Sequence, residues 1–298
     1  MKSTPLLLLA GITALVIVYA CHKSANPQPP VYDTVTVTKT DTLVLPPVSD
    51  TPNLTEGLVL YLPFNGSFAD SSGSGNTVVA TGSVSLGYDA HGYAQSAFSS
   101  SGNGRLVVSN NGAYAVDTAF SLSFDFTLKS SVGLMSFLSL VDTVNGNGPT
   151  FNLGLNAAAS PQFFNFGTNT SAATCDVSGD NNSQNVSATT NFIPQIGSWY
   201  NAICIFTQGN LSVYINGRLL ATSTVANPTV LYCPSSNFVI GGWFDNGQNM
   251  IGELDEVRFY NRTLTAQQIA WLSRNFQPTS VKASVGIKKG GSPGISAN

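Results

Sequence analysis

The sequence predicts an all-β protein, an antiparallel β-sandwich of jelly-roll type in two sheets with one short C-terminal helix. Three observations lead there. Charged residues make up 9% of the 298 positions, against roughly 25% in an average soluble domain, and Glu occurs only three times, which argues against a helix-rich enzyme or a coiled coil. Gly, Ser, Thr and Asn abound beside 17 Phe and 10 Tyr, a mixture suited to short strands joined by polar turns. Strand signals recur at short spacing, with no helical period until the last segment. A net charge of −3 and no basic run leave no footprint for nucleic acid. No nucleotide site is expected either, because Gly73-Ser74-Gly75 lacks the Lys and following helix of a phosphate loop.

Lys2 precedes an apolar stretch from Leu6 to Val18, too short to span a membrane and suited to an export signal. The run closes on Val18-Tyr19-Ala20-Cys21, which resembles the lipobox of bacterial lipoproteins. That resemblance implies that residues 1–20 are cleaved and that Cys21 carries acyl chains. The protein is then held on the outer membrane of a bacterial cell envelope, facing the periplasm or the surface. The membrane is contacted through that lipid anchor alone. An ordinary secretory peptide or an uncleaved anchor is the alternative. His22-Lys23-Ser24 follows, where some lipoproteins bound for surface display carry an acidic run. Residues 21–53 read as a Pro/Thr-rich linker, with six prolines from Asn26 on and little to build a core; the alternation from Asp33 to Thr38 is either part of that stalk or an edge strand. Residues 277–298 have no apolar period and read as a disordered tail.

The domain, residues 54–276, opens with Leu58-Val59-Leu60-Tyr61-Leu62, a buried strand ended by Pro63 and the polar loop Asp70 to Asn76. Arg105 to Val108 is a second strand. From Phe120 to Leu128, apolar residues alternate with Ser121, Ser123, Asp125 and Thr127, so one face is expected in the core and the other in water. Ala202 to Phe206 is an apolar strand. Leu211 to Ile215 meets Arg218 to Ala221 across Asn216-Gly217, a pair that takes the positive φ angles of a type I′ turn. Gly252 to Tyr260 is the last strand. Thr265-Ala266-Gln267-Gln268 then forms a capping box that starts a helix carrying Ile269, Trp271 and Leu272. Trp199 and Trp271 are assigned to the core.

Gly57 to Gly66 followed by Asp70-Ser71-Ser72-Gly73 resembles the first strand and loop of laminin-G-like, concanavalin A-like domains of the lectin/glucanase superfamily. His91 to Phe98 is similar to that family's segment before its second strand, and Trp199-Tyr200-Asn201 to its Trp-led strand. Tyr214-Ile215-Asn216-Gly217 is similar to its hairpin, Val239 to Gly242 to the strand after it, and Gly252 to Thr265 to its closing strand. The resemblance implies a concanavalin A-like jelly roll and roles in adhesion, lectin binding or hydrolysis. It also implies a structural Ca²⁺ at the rim, held by Asp70, backbone carbonyls near Asn76, and Asp255. The other reading makes Asp70 an Asx turn and Asp255 a backbone partner.

Glucanases of this superfamily carry Glu-x-Asp-x-Glu or Glu-x-Asp-x-x-Glu on a strand. Here Glu253-Leu254-Asp255 begins the pattern, but 257 is Val and 258 is Arg. In a regular strand Glu256 points away from Glu253, and only a bulge would return it. No catalytic residue is assigned. His91 sits in a loop without a nucleophile elbow, and the cysteines have no zinc spacing. Cys204 reads as a small buried hydrophobe, while Cys175 and Cys233 sit beside polar loops and are either joined in a disulfide or left as free thiols, a choice the sequence leaves open.

For ligand contact, the loop from Trp243 through Asp245 and Asn246 to Asn249 combines an aromatic face with amides and a carboxylate, the pairing that sugars need; the other reading makes Trp243 a plug at the end of the sandwich. The reading is a non-catalytic envelope lipoprotein that binds extracellular glycan. The alternatives are an adhesion or structural protein that binds another protein, and a degenerate glycoside hydrolase. Cys21→Ala is expected to release the protein from the membrane fraction; retention there contradicts lipidation.

Overall fold

The computed structural model describes residues 51–144, 150–159, 163–169, 175, 185–225, 227–245 and 247–275. The export segment, Cys21, the linker before residue 51, the loop 180–184, Asn246 and the 277–298 tail lie outside the described residues. Alternating apolar residues build β1 (Leu58–Leu62), β2 (Val78–Tyr88), β3 (Ala94–Val108), β4 (Ala119–Leu128), β5 (Leu134–Asp142), β6 (Phe151–Asn156), β7 (Phe163–Asn169) and β8 (Asn185–Thr190). After these come β9 (Trp199–Thr207), β10 (Asn210–Ile215), β11 (Arg218–Thr224), β12 (Ser236–Ile240), β13 (Ile251–Tyr260) and α1 (Ala266–Asn275). The strands pair in the order β11-β10-β9-β4-β13-β3-β12-β5-β6-β7-β8, with β1 added to β13 and β2 to β3. All of these pairings are antiparallel. The sheet curls until its end strands β11 and β8 meet, so the sandwich is nearly a closed barrel. This is the all-β architecture that composition and turn spacing predict.

The enclosed face is aromatic. Phe120 stacks on Phe151 at 5.2 Å and on Phe206 and Phe259 at 5.8 Å, joining β4, β6, β9 and β13 in one cluster. Phe126 and Phe137 continue it toward Phe164. The 216–217 hairpin forms as expected, with φ of 51° at Asn216 and 76° at Gly217. The capping box forms too: the Gln268 amide N–H donates to Thr265 Oγ1 at 3.2 Å, and the Thr265 N–H to Gln268 Oε1 at 2.9 Å. Helix α1 then lays Ile269 and Leu272 over Ile203, Ile205 and Tyr260, with Trp271 packed half-buried beside them.

That helix overturns one expectation. Ser121, Ser123, Asp125 and Thr127 on the second face of β4 are buried, not solvated. The segment leading into α1 crosses them: Ser121 Oγ donates to the Arg262 carbonyl at 2.8 Å and accepts from the Leu264 N–H at 3.0 Å. Trp199 also departs from its assignment. Ala202, Cys204 and Phe206 take the core face of β9, so Trp199 falls on the outer face and is only partly buried. Of the segment from His91 to Phe98, the last five residues belong to β3 itself.

Cys175 and Cys233 form a disulfide that links positions 58 residues apart, and Cys204 is a buried free thiol whose pKa burial pushes well above its ordinary value. Closing a loop of that length removes unfolded-chain entropy worth about 4 kcal/mol. Reduction, or Cys175→Ser with Cys233→Ser, is therefore expected to lower the melting temperature by roughly 5–10 °C for a domain of this size. An unchanged melt contradicts this.

Candidate functional site

Two outward faces carry polar side chains. The first is the face of the closing strand. Core-facing Leu254, Val257 and Phe259 turn Glu253, Asp255 and Arg258 outward. The register of β13 with β4 jumps between Asp255↔Asp125 and Arg258↔Ser123, and Glu256 takes φ of 53°. This is a β-bulge, in which three steps on one strand match two on the other. Glu256 is thereby corrected from the opposite-face position that regular alternation gives. It accepts from Tyr61 Oη at 3.0 and 3.1 Å and from the Arg258 guanidinium, which itself lies 4.1 Å over the Tyr61 ring. Desolvation works to lower the Arg258 pKa, yet the Glu256 charge and hydrogen bond together with Tyr61 and Tyr260 outweigh it, and the net shift is upward.

The neighbours of Glu253 across the ladder are Thr127 and Ser99, neither of them acidic. Its Oε1 accepts from Lys129 Nζ at 2.8 Å and lies where Gly87 leaves no room for a Cβ. Arg258 occupies the place of the second Glu in the glucanase pattern. A retaining pair requires two carboxyls about 5 Å apart across a scissile bond; on this face Glu253 is paired with Lys129, and Glu256 with Arg258 and Tyr61.

Asp125 and Asp255 oppose each other across β4 and β13, each 7% exposed. Asn201 Nδ2 donates to Asp125 Oδ1 at 2.7 Å, and Ser273 Oγ of α1 holds Asn201 Oδ1 at 3.1 Å. The Glu256 N–H donates to Asp255 Oδ1 at 2.7 Å. Burial pushes the Asp125 carboxyl up to about 7 against the Asn201 hydrogen bond. Burial, then the Glu256 charge and Asp125 itself, push Asp255 up to about 9. Both carboxyls are thereby shifted toward the protonated form, Asp255 more strongly than Asp125.

The rim residues do not meet as a calcium site. Asp70 accepts five hydrogen bonds, from the Tyr61, Ser72 and Asn76 backbone N–H groups at 3.0, 2.9 and 3.2 Å and from Ser72 Oγ and Asn76 Nδ2 at 2.8 Å each. Burial opposes ionisation there, but these donors outweigh it and hold the carboxyl below its ordinary value. Asn76 spends its Nδ2 on Asp70 and the Val59 carbonyl, and its Oδ1 on Tyr114 and Asn111. Asp255 faces Asp125 and shares none of these partners. This donor set is saturated by protein hydrogens and does not fit the ion. Among the described residues no group of three or more His, Cys, Asp or Glu side chains is arranged to hold a metal.

The second face lies across β5, β6 and β7. Phe151, Leu153 and Leu155 of β6 and Phe164 and Phe166 of β7 enter the core, leaving Asn152, Gly154, Asn156, Asn165 and Gly167 outside. Asn152 pairs with Gly167 and Gly154 with Asn165, so amides and glycines alternate both along and across the strands. Gly154 is required, because a Cβ there would stand 2.5 Å from the Met135 carbonyl oxygen. The result is a groove of about 260 Å³, also lined by Leu134, Gln248 and Trp243, with no charged residue among the described residues of its lining.

Of the ligand residues expected from sequence, Trp243 reaches this groove. It is 8% exposed and packs on Val141, Val239 and Phe244, so its ring is mostly structural. Asp245 accepts from the Gly247 N–H at 2.8 Å within its own turn, and buried Asn249 donates to the Gly102 carbonyl at 3.1 Å. The groove asparagines went unassigned from sequence. Their signal is the alternation in Phe-Asn-Leu-Gly-Leu-Asn and Phe-Phe-Asn-Phe-Gly-Thr-Asn, where every second residue is an amide, Gly or Thr.

Comparison with known proteins places the fold among antiparallel lectin-like binding domains. Residues 100–270 match the family described as the concanavalin A-like lectin/glucanases superfamily, and the chain belongs to it. The binding domain of botulinum neurotoxin serotype C1 is 19% identical, with a TM-score of 0.56 over 76% of this chain and 53% of that one. The binding domain of botulinum neurotoxin DC in complex with rat synaptotagmin II is 18% identical, with a TM-score of 0.55 over 76% and 53%. The chain spans about half the length of these neurotoxin domains. Domain 4 of AbnA, an extracellular arabinanase from Geobacillus stearothermophilus solved with arabinotriose, is 19% identical, with a TM-score of 0.53 over 72% of this chain and 98% of that one. At such identities the likeness is one of fold. No protein of curated function matches the sequence.

The aspartate pair predicts a sign for the pH dependence of stability. A carboxyl whose folded pKa is raised contributes fully below its unfolded value, near 4, and that contribution is lost as pH rises through the folded values of about 7 and 9. Unfolding free energy is expected to fall between pH 5 and 9. Asp255→Asn is expected to flatten the decline and to gain on the order of 2 kcal/mol at pH 9. Denaturant titrations across pH check this, and a variant that declines as steeply as the parent contradicts it.

Proposed function

We propose that this chain is a non-catalytic cell-envelope lipoprotein, anchored through Cys21, whose jelly-roll domain binds extracellular glycan in the β5–β7 groove. The observation that carries the reading is the alternation of Asn152, Asn156 and Asn165 with Gly154 and Gly167 on an outward face. Sugars present apolar C–H faces and polar edges. A flat glycine floor accepts the first, and amides fixed in a rigid sheet meet the second without loop ordering. The fold resembles carbohydrate-binding domains, among them the arabinanase domain solved with arabinotriose.

The absence of catalysis is part of the same proposal. Supporting it are the ion pairs of Glu253 with Lys129 and of Glu256 with Arg258, and the uncharged lining of the groove. A protein partner is the second reading. It is favoured by the β2–β3 tip, where Tyr88 and Tyr93 stand exposed and the Asp89 carboxylate fixes the turn by accepting from the His91 and Tyr93 N–H groups.

A glycan array with the purified chain is expected to show binding to at least one polysaccharide. Asn152→Ala and Asn165→Ala are each expected to weaken it about tenfold while the melting temperature stays within a few degrees, one hydrogen bond being worth roughly 1 kcal/mol or somewhat more. Glu253→Gln is expected to change neither binding nor any hydrolysis of β-glucan. Hydrolysis by the parent that is lost in this variant overturns the non-catalytic reading.

A further inference from the structure

We infer that the β5–β7 groove selects uncharged glycans that carry acetyl groups, each acetyl carbonyl accepting from an asparagine amide while its methyl group rests on the adjacent glycine floor. The inference rests on the proposed glycan-binding reading and adds the chemical class of the ligand.

Its basis is how the asparagines spend their hydrogen bonds. Ser136 Oγ donates to Asn152 Oδ1 at 2.9 Å, the Ala159 N–H donates to Asn156 Oδ1 at 3.0 Å, and Thr189 Oγ1 donates to Asn165 Oδ1 at 3.0 Å. In all three residues the protein occupies the amide oxygen, which leaves the Nδ2 donors directed to the groove. An amide has one acceptor oxygen and two donor hydrogens, so holding the oxygen both locks the plane of the group and turns its donor side outward. The three positions therefore offer a row of neutral donors.

A sugar hydroxyl can accept from Nδ2, but it also carries a proton to donate, and the oxygens of the three asparagines are already taken by Ser136, Ala159 and Thr189. Leaving that proton desolvated without an acceptor costs roughly 1–3 kcal/mol, a cost that a group with lone pairs and no proton avoids. An acetyl carbonyl has two lone pairs and no donor, and it complements Nδ2. The lining also decides against charged sugars. Uronates, sulfated sugars and free amino sugars would lose water without meeting an opposite charge. The pairing of Asn152 with Gly167 and of Asn165 with Gly154 sets a residue without a side chain beside two of the three donors, and Leu134 supplies apolar surface at the edge.

N-acetyl and O-acetyl groups share this chemistry, and the test separates them. Full-length protein in detergent is titrated by calorimetry with chitohexaose, with O-acetylated xylan, and with the same xylan after alkaline deacetylation. The expected result is that chitohexaose, acetylated xylan or both bind at least tenfold tighter than deacetylated xylan, unchanged from low to high salt. Asn152→Ala or Asn165→Ala should abolish the preference, with circular dichroism and melting unchanged. Binding of chitohexaose alone assigns the N-acetyl source, and binding of acetylated xylan alone assigns the O-acetyl source. Equal affinity for acetylated and deacetylated xylan, weakened in parallel by the Asn variants, overturns the acetyl preference and leaves the groove as a glycan site. A preference that survives both substitutions overturns it as well, since the selecting site then lies elsewhere. Failure of all three probes and of a neutral arabinan to bind overturns the inference together with the glycan reading.

Discussion

The two-residue period of the β-strand is the constraint on which the rest depends. In β4, β6, β7 and β13 it sends Phe120, Phe151, Phe166 and Phe259 to the inside, and their ring contacts between 5.2 and 6.1 Å tie strands distant in sequence into one cluster. Once the phenylalanines are placed, the intervening residues have no freedom of side. Asn152, Gly154 and Asn156 must appear outside wherever Phe151, Leu153 and Leu155 are inside. The groove is thus the reverse side of the core, and it inherits the rigidity of the sheet.

In β13 the same period is broken at Asp255 and Glu256, and the break shapes the other outward face. The bulge carries Glu256 round to Tyr61 and Arg258. Carboxylates gather on this face, each with its own partner. Lys129 holds Glu253, Arg258 and Tyr61 hold Glu256, the Glu256 N–H holds Asp255, and Asn201, itself held by Ser273 of the helix, holds Asp125. Charge on this face ties β1, β4, β9, β13 and α1 together.

Much of the fold was legible in the residues. Asn216-Gly217 specifies its turn, Thr265 to Gln268 specifies its cap, and the Phe120 to Leu128 alternation specifies a strand. What could not be read was burial of the polar side of β4, because it depends on where Arg262 and Leu264 cross it, a contact made 141 to 143 residues away in sequence. The bulge at Glu256 was equally hidden, since it follows from pairing with two partners at once. The site was legible only in part. Trp243 and the rim aspartate attract notice as single residues, yet the first is largely packing and the second is saturated by its own loop. The groove asparagines look ordinary one at a time, and their meaning comes from the register that sets Asn152 and Asn165 each beside a glycine on the next strand.

In the proposed site the Nδ2 groups of Asn152, Asn156 and Asn165 face ligand. Side-chain amide resonances of ¹⁵N-labelled protein, followed through a titration with an oligosaccharide, report on this directly. These three amide pairs are expected to shift together at one saturation midpoint while the Asn201 pair, enclosed beside Asp125, stays in place. A titration that moves the Trp199 indole and the backbone of Glu253, and leaves the three groove amides unshifted, would contradict it.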